Sequence, residues 1–129
     1  MIAVDSSAVI AILYREPEAA RLRAALAGAN GAVISTGTLL ELQLVVAGTR
    51  ARSGWTQVEA LLALYGVTAR AFDERQLRLA REAATRYGKG RHKAALNFGD
   101  CFAYALAKSE GAPLLCTGDD FRQTDVVLA

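Results

Sequence analysis

Short runs of aliphatic and β-branched residues alternate along this chain with longer stretches whose apolar positions recur at helical spacing. Ile2-Ala3-Val4, Ala32-Val33-Ile34, Val67 to Ala71 and Leu114-Leu115-Cys116 are too short for helices and predict strands. Pro17 suits the first turn of a helix over Glu18 to Ala27, which Gly28, Asn30 and Gly31 stop. Thr38 to Ala47 predicts the next helix, closed by Gly48, and Ser53 can cap a third that runs to about Leu64. Asp73 with Gln76 three residues later is a capping-box pattern for a fourth, ended by Gly88. On that helix Leu77, Ala80, Ala84 and Tyr87 form the apolar stripe. Glu74 with Arg78, Arg78 with Glu82, and Glu82 with Arg86 are spaced to pair on the opposite, solvated side. A last helix is expected from roughly Asp100 to Ser109, before Gly111.

Strands alternating with helices predict an α/β sandwich with a largely parallel central sheet, whose ligand site lies beyond the carboxyl ends of the strands. With 129 residues, one domain over 1–129 is expected. Hydrophobic residues at 53% and charged ones at 22% exclude disordered and fibrous classes. Apolar runs such as Ala8 to Tyr14 fall well short of the roughly 18 residues that span a bilayer, so no membrane association and a cytoplasmic location are expected. Cys101 and Cys116 are too few for a disulfide scaffold and read as buried free thiols.

Charge changes this picture in one region. The net charge is only +2, yet between Arg70 and Lys93 eight Lys or Arg stand against three acids, so a basic arm adjoins a mildly acidic body. Such asymmetry permits nucleic-acid binding.

Four acids occupy places where chemistry is expected. Asp5 ends the first strand; its plainer role is the N-cap of the following helix. Glu41 lies among Leu39, Leu40, Leu42, Leu44, Val45 and Val46, on a helix expected to be largely buried, with no basic residue within one turn; exposure on a narrow polar stripe is the alternative. Asp100 opens the last helix, where Gly99 allows a tight approach, and capping explains it too. Asp119 follows the last strand through Thr117-Gly118, and a plain exposed turn would account for it. Together, four converging carboxylates would repel one another unless a cation neutralised them, and hard oxygen donors suit Mg²⁺ or Mn²⁺. Metals so held activate water against a phosphodiester without a histidine or serine nucleophile. His92 is the single histidine, which excludes a Ser-His-Asp triad and a two-His metal site, and no phosphate-cradling Gly pattern occurs. Lys89, Arg91, His92 and Lys93 are candidate RNA contacts near the acidic edge, a solvated loop being the alternative.

These residues resemble the PIN-domain family, and within it the VapC toxins of bacterial toxin-antitoxin modules. The opening Asp5-Ser6-Ser7-Ala8, Glu41 in a leucine-rich helix, the block Asn97 to Ala107 and the Thr117-Gly118-Asp119 turn occur in family order. The resemblance implies a PIN-like α/β/α sandwich and Mg²⁺-dependent endoribonuclease activity on tRNA or other structured RNA, with Asp5, Glu41, Asp100 and Asp119 as the acidic quartet. Here Asp119, Asp120 and Phe121 are consecutive, where the family often spaces the acids by a residue; Asp119 keeps its register with the strand, and Asp120 is the alternate. The resemblance also implies a homodimer and silencing by a small VapB-type antitoxin, through which alone operator DNA is contacted. An antitoxin Arg entering the acidic pocket, with apolar contacts around Leu13, Leu22, Leu26 and Leu44, is the expected mode of silencing. A non-toxin RNA-processing nuclease and a catalytically silent binding module are the alternatives.

Overall fold

Successive side chains of a strand point to opposite faces, and the first strand, β1 (Ile2–Val4), feeds a separate core on each side. Ile2 and Val4 enter one apolar cluster, while Ala3 enters the other. In the computed structural model, which describes residues 1–48 and 54–129, β1 is followed by α1 (Ser6–Leu13), α2 (Ala19–Gly28), β2 (Ala32–Ser35), α3 (Thr36–Val46), α4 (Trp55–Leu64), β3 (Val67–Arg70), α5 (Glu74–Tyr87), α6 (Phe98–Glu110) and β4 (Leu114–Leu115). A short 3-10 turn follows at Asp120–Gln123. The four strands pair in parallel in the order β3-β2-β1-β4, with Val4 level with Ile34 and Leu115. This is the expected PIN-like α/β/α sandwich. Val9, Ile12, Leu22, Leu26, Leu42, Val58 and Leu61 from α1 to α4 cover one face; Ala83, Tyr87, Ala103, Tyr104 and Leu106 from α5 and α6 cover the other.

The order of strands places the site. From β1 the chain builds outward through β2 to β3, then crosses on the opposite face to lay β4 on the free side of β1. Connections from the ends of β1 and β4 therefore leave in opposite directions. The crevice opened by such a reversal is where parallel sheets bind ligands.

Several local expectations are corrected. The helix expected from Thr38 begins earlier, at Thr36, capped by Ser35, whose hydroxyl accepts from the Gly37 N–H. The helix buries only Thr38, Leu42 and Val46, leaving Leu40, Leu44 and Val45 at 62%, 68% and 42% exposure, so its apolar sequence does not bury it. Asn97, not Asp100, begins the last helix as its cap. Pro17 precedes α2, and Gly54 caps α4 with Gln57 reaching back to its N–H at 2.8 Å; the Ser53 expected as cap lies outside the described residues. The buried stripe of α5 is Gln76, Ala80, Ala83 and Tyr87, with Leu77 and Ala84 outside, because small residues let α5 lie close against Ala103 and Ala107 of α6. Among the described residues none of the three expected ion pairs along α5 forms; Arg86 is drawn instead to Asp125 at 3.7 Å. Cys116 is buried and Cys101 only half-buried, both free thiols. Leu22 and Leu26 belong to the core, so they offer no docking surface.

Candidate functional site

Asp5 sits just past β1 and performs both roles the sequence allows. Its Oδ2 caps α1, accepting from the Ser7 N–H at 3.1 Å and the Ser7 hydroxyl at 2.6 Å. Ser7 Oγ in turn accepts from the Thr117 N–H at 3.0 Å, which ties the start of α1 to the segment after β4 across the crevice. The other oxygen, Oδ1, is buried with no hydrogen-bond partner. Asp5 is only 3% exposed, and burial pushes its carboxyl up to about 6; the Ser7 donors pull downward and the charge of Glu41 adds to the rise.

Asp100 stands in the first turn of α6. Its N–H donates to Asn97 Oδ1 at 2.9 Å and its Oδ2 accepts from the Asn97 N–H at 3.0 Å, a reciprocal cap. Desolvation raises this carboxyl also to about 6, against the Asn97 hydrogen bond, with Asp5 and then Asp120 adding to the rise. Glu41 comes from α3, and its Oε2 lies directly against Gly99. A Cβ at residue 99 would collide with that carboxylate, so the glycine admits α3's acid beside α6. Glu41 Oε1 is buried and unpartnered, like Asp5 Oδ1.

The two candidates for the last acid, Asp119 and its alternate Asp120, are placed differently. Asp119 has its side chain 81% exposed and pairs with Arg122 at 3.4 Å, beside a cleft of about 450 Å³ that Glu18, Arg21 and Arg122 also line. Asp120 is the residue whose charge acts on Asp100. The cause is Gly118, whose φ of +78° breaks the register carried out of β4, after which Phe121 anchors the turn in the core. The structure thus joins Asp5, Glu41, Asp100 and Asp120 electrostatically and leaves Asp119 outside that group.

Among the described residues, no three Asp, Glu, His or Cys side chains stand close enough, as placed, to hold an ion. The donors nevertheless suit a hard divalent cation. All are carboxylates, two carry a buried unpartnered oxygen, and each of Asp5 and Asp100 is pushed upward by an acidic neighbour.

Of the basic loop, Lys89, Arg91 and Lys93 are exposed. His92 is half-buried, its Nδ1 accepting from the Ala94 N–H at 3.0 Å and its ring edge-on to Tyr87 at 5.1 Å, so it shapes the loop from within. Two site features escaped the sequence reading. Ser7 could have been found from its place two residues after a strand-end Asp. Phe98 is 82% exposed two residues before Asp100, its ring edge-on to Phe102 at 5.1 Å; an aromatic so open beside an acidic site offers a surface on which a base can stack.

Residues 2–127 match the family model described as PIN domain. The chain is 45% identical, over 95% of its length and 95% of the relative's, to Ribonuclease VapC of Mycolicibacterium smegmatis. It is 42% identical to Ribonuclease VapC30 of Mycobacterium tuberculosis, over 95% and 94% of the two chains. A chain of VapBC2 from Rickettsia felis, solved bound to a DNA fragment from its promoter, shares the fold at a TM-score of 0.76 and 20% identity, covering 100% of this chain and 98% of that one.

Proposed function

The chain belongs to the PIN-domain family and, within it, to the VapC ribonucleases, and on that premise we propose that it cleaves RNA internally with Mg²⁺ as the toxin of a toxin-antitoxin pair. The observation that supports the metal is the pair of buried, unpartnered oxygens on Asp5 and Glu41, in a crevice where burial and then acidic neighbours push Asp5 and Asp100 upward. Asp5, Asp100 and Glu41 would hold the ion, with Asp120 as the fourth acid in place of the expected Asp119; Mn²⁺ would substitute. When bound, such an ion lowers the pKa of a coordinated water and offsets charge on the phosphodiester under attack. Ser7 fixes the Asp5 carboxylate, Asn97 fixes that of Asp100, and Gly99 leaves room for Glu41.

Lys89, Arg91 and Lys93 bind RNA phosphates, with Phe98 under an unpaired base of a tRNA or another structured RNA. His92 keeps the loop in shape. A VapB-type antitoxin silences the enzyme by placing an Arg among the acids, since a guanidinium fork matches carboxylates. Operator DNA is met only through that antitoxin, and the active protein is a cytoplasmic homodimer; among the described residues no helix is long and apolar enough to cross a membrane.

The test is cleavage of a structured RNA by purified protein. Activity that EDTA removes and Mg²⁺ or Mn²⁺ restores, and that Asp5→Asn abolishes in a folded protein, supports the reading. RNA binding without cleavage under every metal tried would return the chain to the silent binding module.

A further inference from the structure

Thr38 is 0% exposed in the first turn of α3, and its hydroxyl oxygen has no hydrogen-bond partner. A threonine within a helix usually returns its hydroxyl to a carbonyl one turn back. This one does not. Leaving a buried hydroxyl unpaired is destabilising, so the position asks for an acceptor.

Three residues along the same helix stands Glu41, whose Oε1 is also buried and without a donor. Residues at i and i+3 lie on one helical face with Cβ atoms about 5–6 Å apart. The two groups are complementary: one offers an O–H, the other only accepts. Glu41 Oε2 is already confined against Gly99, so only Oε1 is free to take a donor. The remaining buried unpartnered oxygens belong to other elements: Asp5 Oδ1 lies at the same site, and Gln76 Oε1 belongs to α5. Valine would fill the space of Thr38 without the unpaired group, so packing alone does not account for threonine.

We propose that Thr38 is a positioning residue for Glu41, its hydroxyl donating to the Glu41 carboxylate when that acid engages a divalent cation shared with Asp5. The inference rests on the metal site proposed above. It adds a donor, the Thr38 hydroxyl, that would fix the Glu41 carboxylate on the ion. Hydrogen bonds to ligating carboxylates orient them, and their removal typically costs about 10- to 100-fold in metal affinity.

The experiment titrates Mn²⁺ by calorimetry into the full-length protein and into its Thr38→Val, Thr38→Ser and Glu41→Gln variants, and follows thermal unfolding of each in EDTA. Thr38→Val is expected to weaken Mn²⁺ binding roughly tenfold, while Thr38→Ser stays within about twofold of the parent. Without ion, the valine variant should unfold no earlier than the parent, since it loses only an unpaired hydroxyl. Cleavage by Thr38→Val should recover at high metal, with the KM for RNA unchanged. If valine proves disruptive, Thr38→Ala must show the same metal defect with serine still rescuing it. Parental Mn²⁺ affinity in Thr38→Val, or equal loss in the serine and valine variants, overturns the inference. If Glu41→Gln itself binds Mn²⁺ as the parent does, Glu41 is no ligand, and the metal assignment under the proposed function fails with it.

Discussion

One exposed acid and a set of buried or half-buried acids in this molecule have opposite fates. Asp125, near the end of α6, accepts from the Tyr104 hydroxyl at 2.8 Å and from Lys108 at 2.9 Å, with Arg86 3.7 Å away. Burial pushes that carboxyl upward, but the Lys108 and Tyr104 hydrogen bonds and the charges of Lys108 and Arg86 outweigh it and hold it below the ordinary range. Across the fold, Asp5 and Asp100 are raised to about 6, and Asp5 keeps one oxygen without any partner. The first is complete within the chain; the second is the set for which an ion is proposed above. A carboxylate with its partners in place is evidence of architecture, whereas one held ready without them is evidence of a ligand.

The widest separation should come from substituting one acid in each group. Asp5→Asn or Asp100→Asn should reduce RNA cleavage by about a thousandfold or more, the scale on which removing electrostatic stabilisation acts, with the protein still folded by circular dichroism. Asp125→Ala should leave cleavage intact and lower stability by about 1–3 kcal/mol, through an orphaned Tyr104 hydroxyl, read from denaturant melts. Comparable activity in the Asp5 and Asp125 variants would erase the distinction.

Within the unfinished group, Asp120→Asn should cost about 10²-fold in turnover, toward the low end of that electrostatic scale, and Asp119→Asn no more than a few-fold. A reversed order would mean that the turn after Gly118 rearranges when the ion binds. Steady-state rates at saturating Mg²⁺ decide this.

Acidity separates the two groups by sign. The folded pKa of Asp5 lies above its unfolded value, so its charge is tolerated better in the unfolded chain. Ion-free stability should fall as the pH rises from about 4 to about 7, by up to about 3 kcal/mol from Asp5. Asp125 acts the other way: its depressed pKa contributes stability at neutral pH that is lost on acidification. Thermal melts extended from about pH 7 to below pH 4 should show Asp5→Asn flattening the neutral-side loss, and Asp125→Ala weakening the acid-side one.

The smallest effect concerns the loop beside the site. Replacing Lys89, Arg91 and Lys93 together with Ala should reduce the log-log salt slope for a single-stranded RNA by roughly two units. Cleavage at saturating RNA should persist. An unchanged slope would make the loop a solvated feature like the exposed face of α5.

Asp5 and Asp100 were legible because strand ends and helix starts follow from short-range pattern. Which of Asp119 and Asp120 lies nearer to Asp100 was not, since that placement turns on one positive φ at Gly118, which residue types alone leave open. Glu41 was recognised for a mistaken reason: its helix is apolar in sequence yet open on the side of Leu40 and Leu44, and the confinement of its carboxylate comes from Gly99 on another helix. Asp125 escaped notice entirely. Its partners arrive from α5 and α6, and pairings between distant segments leave no periodic trace.

The reversal of strand order also sets a schedule. Asp120 is made about 115 residues after Asp5, and at roughly 5–20 residues per second that interval lasts about 6–23 s. Until β4 has joined β1, the Thr117 N–H that steadies Ser7 is missing and the crevice has only one wall. A growing chain therefore cannot close the acidic crevice until β4 and the turn after it have been made. On the function proposed above, the nuclease site and the acidic pocket offered to a silencing partner would come into being together.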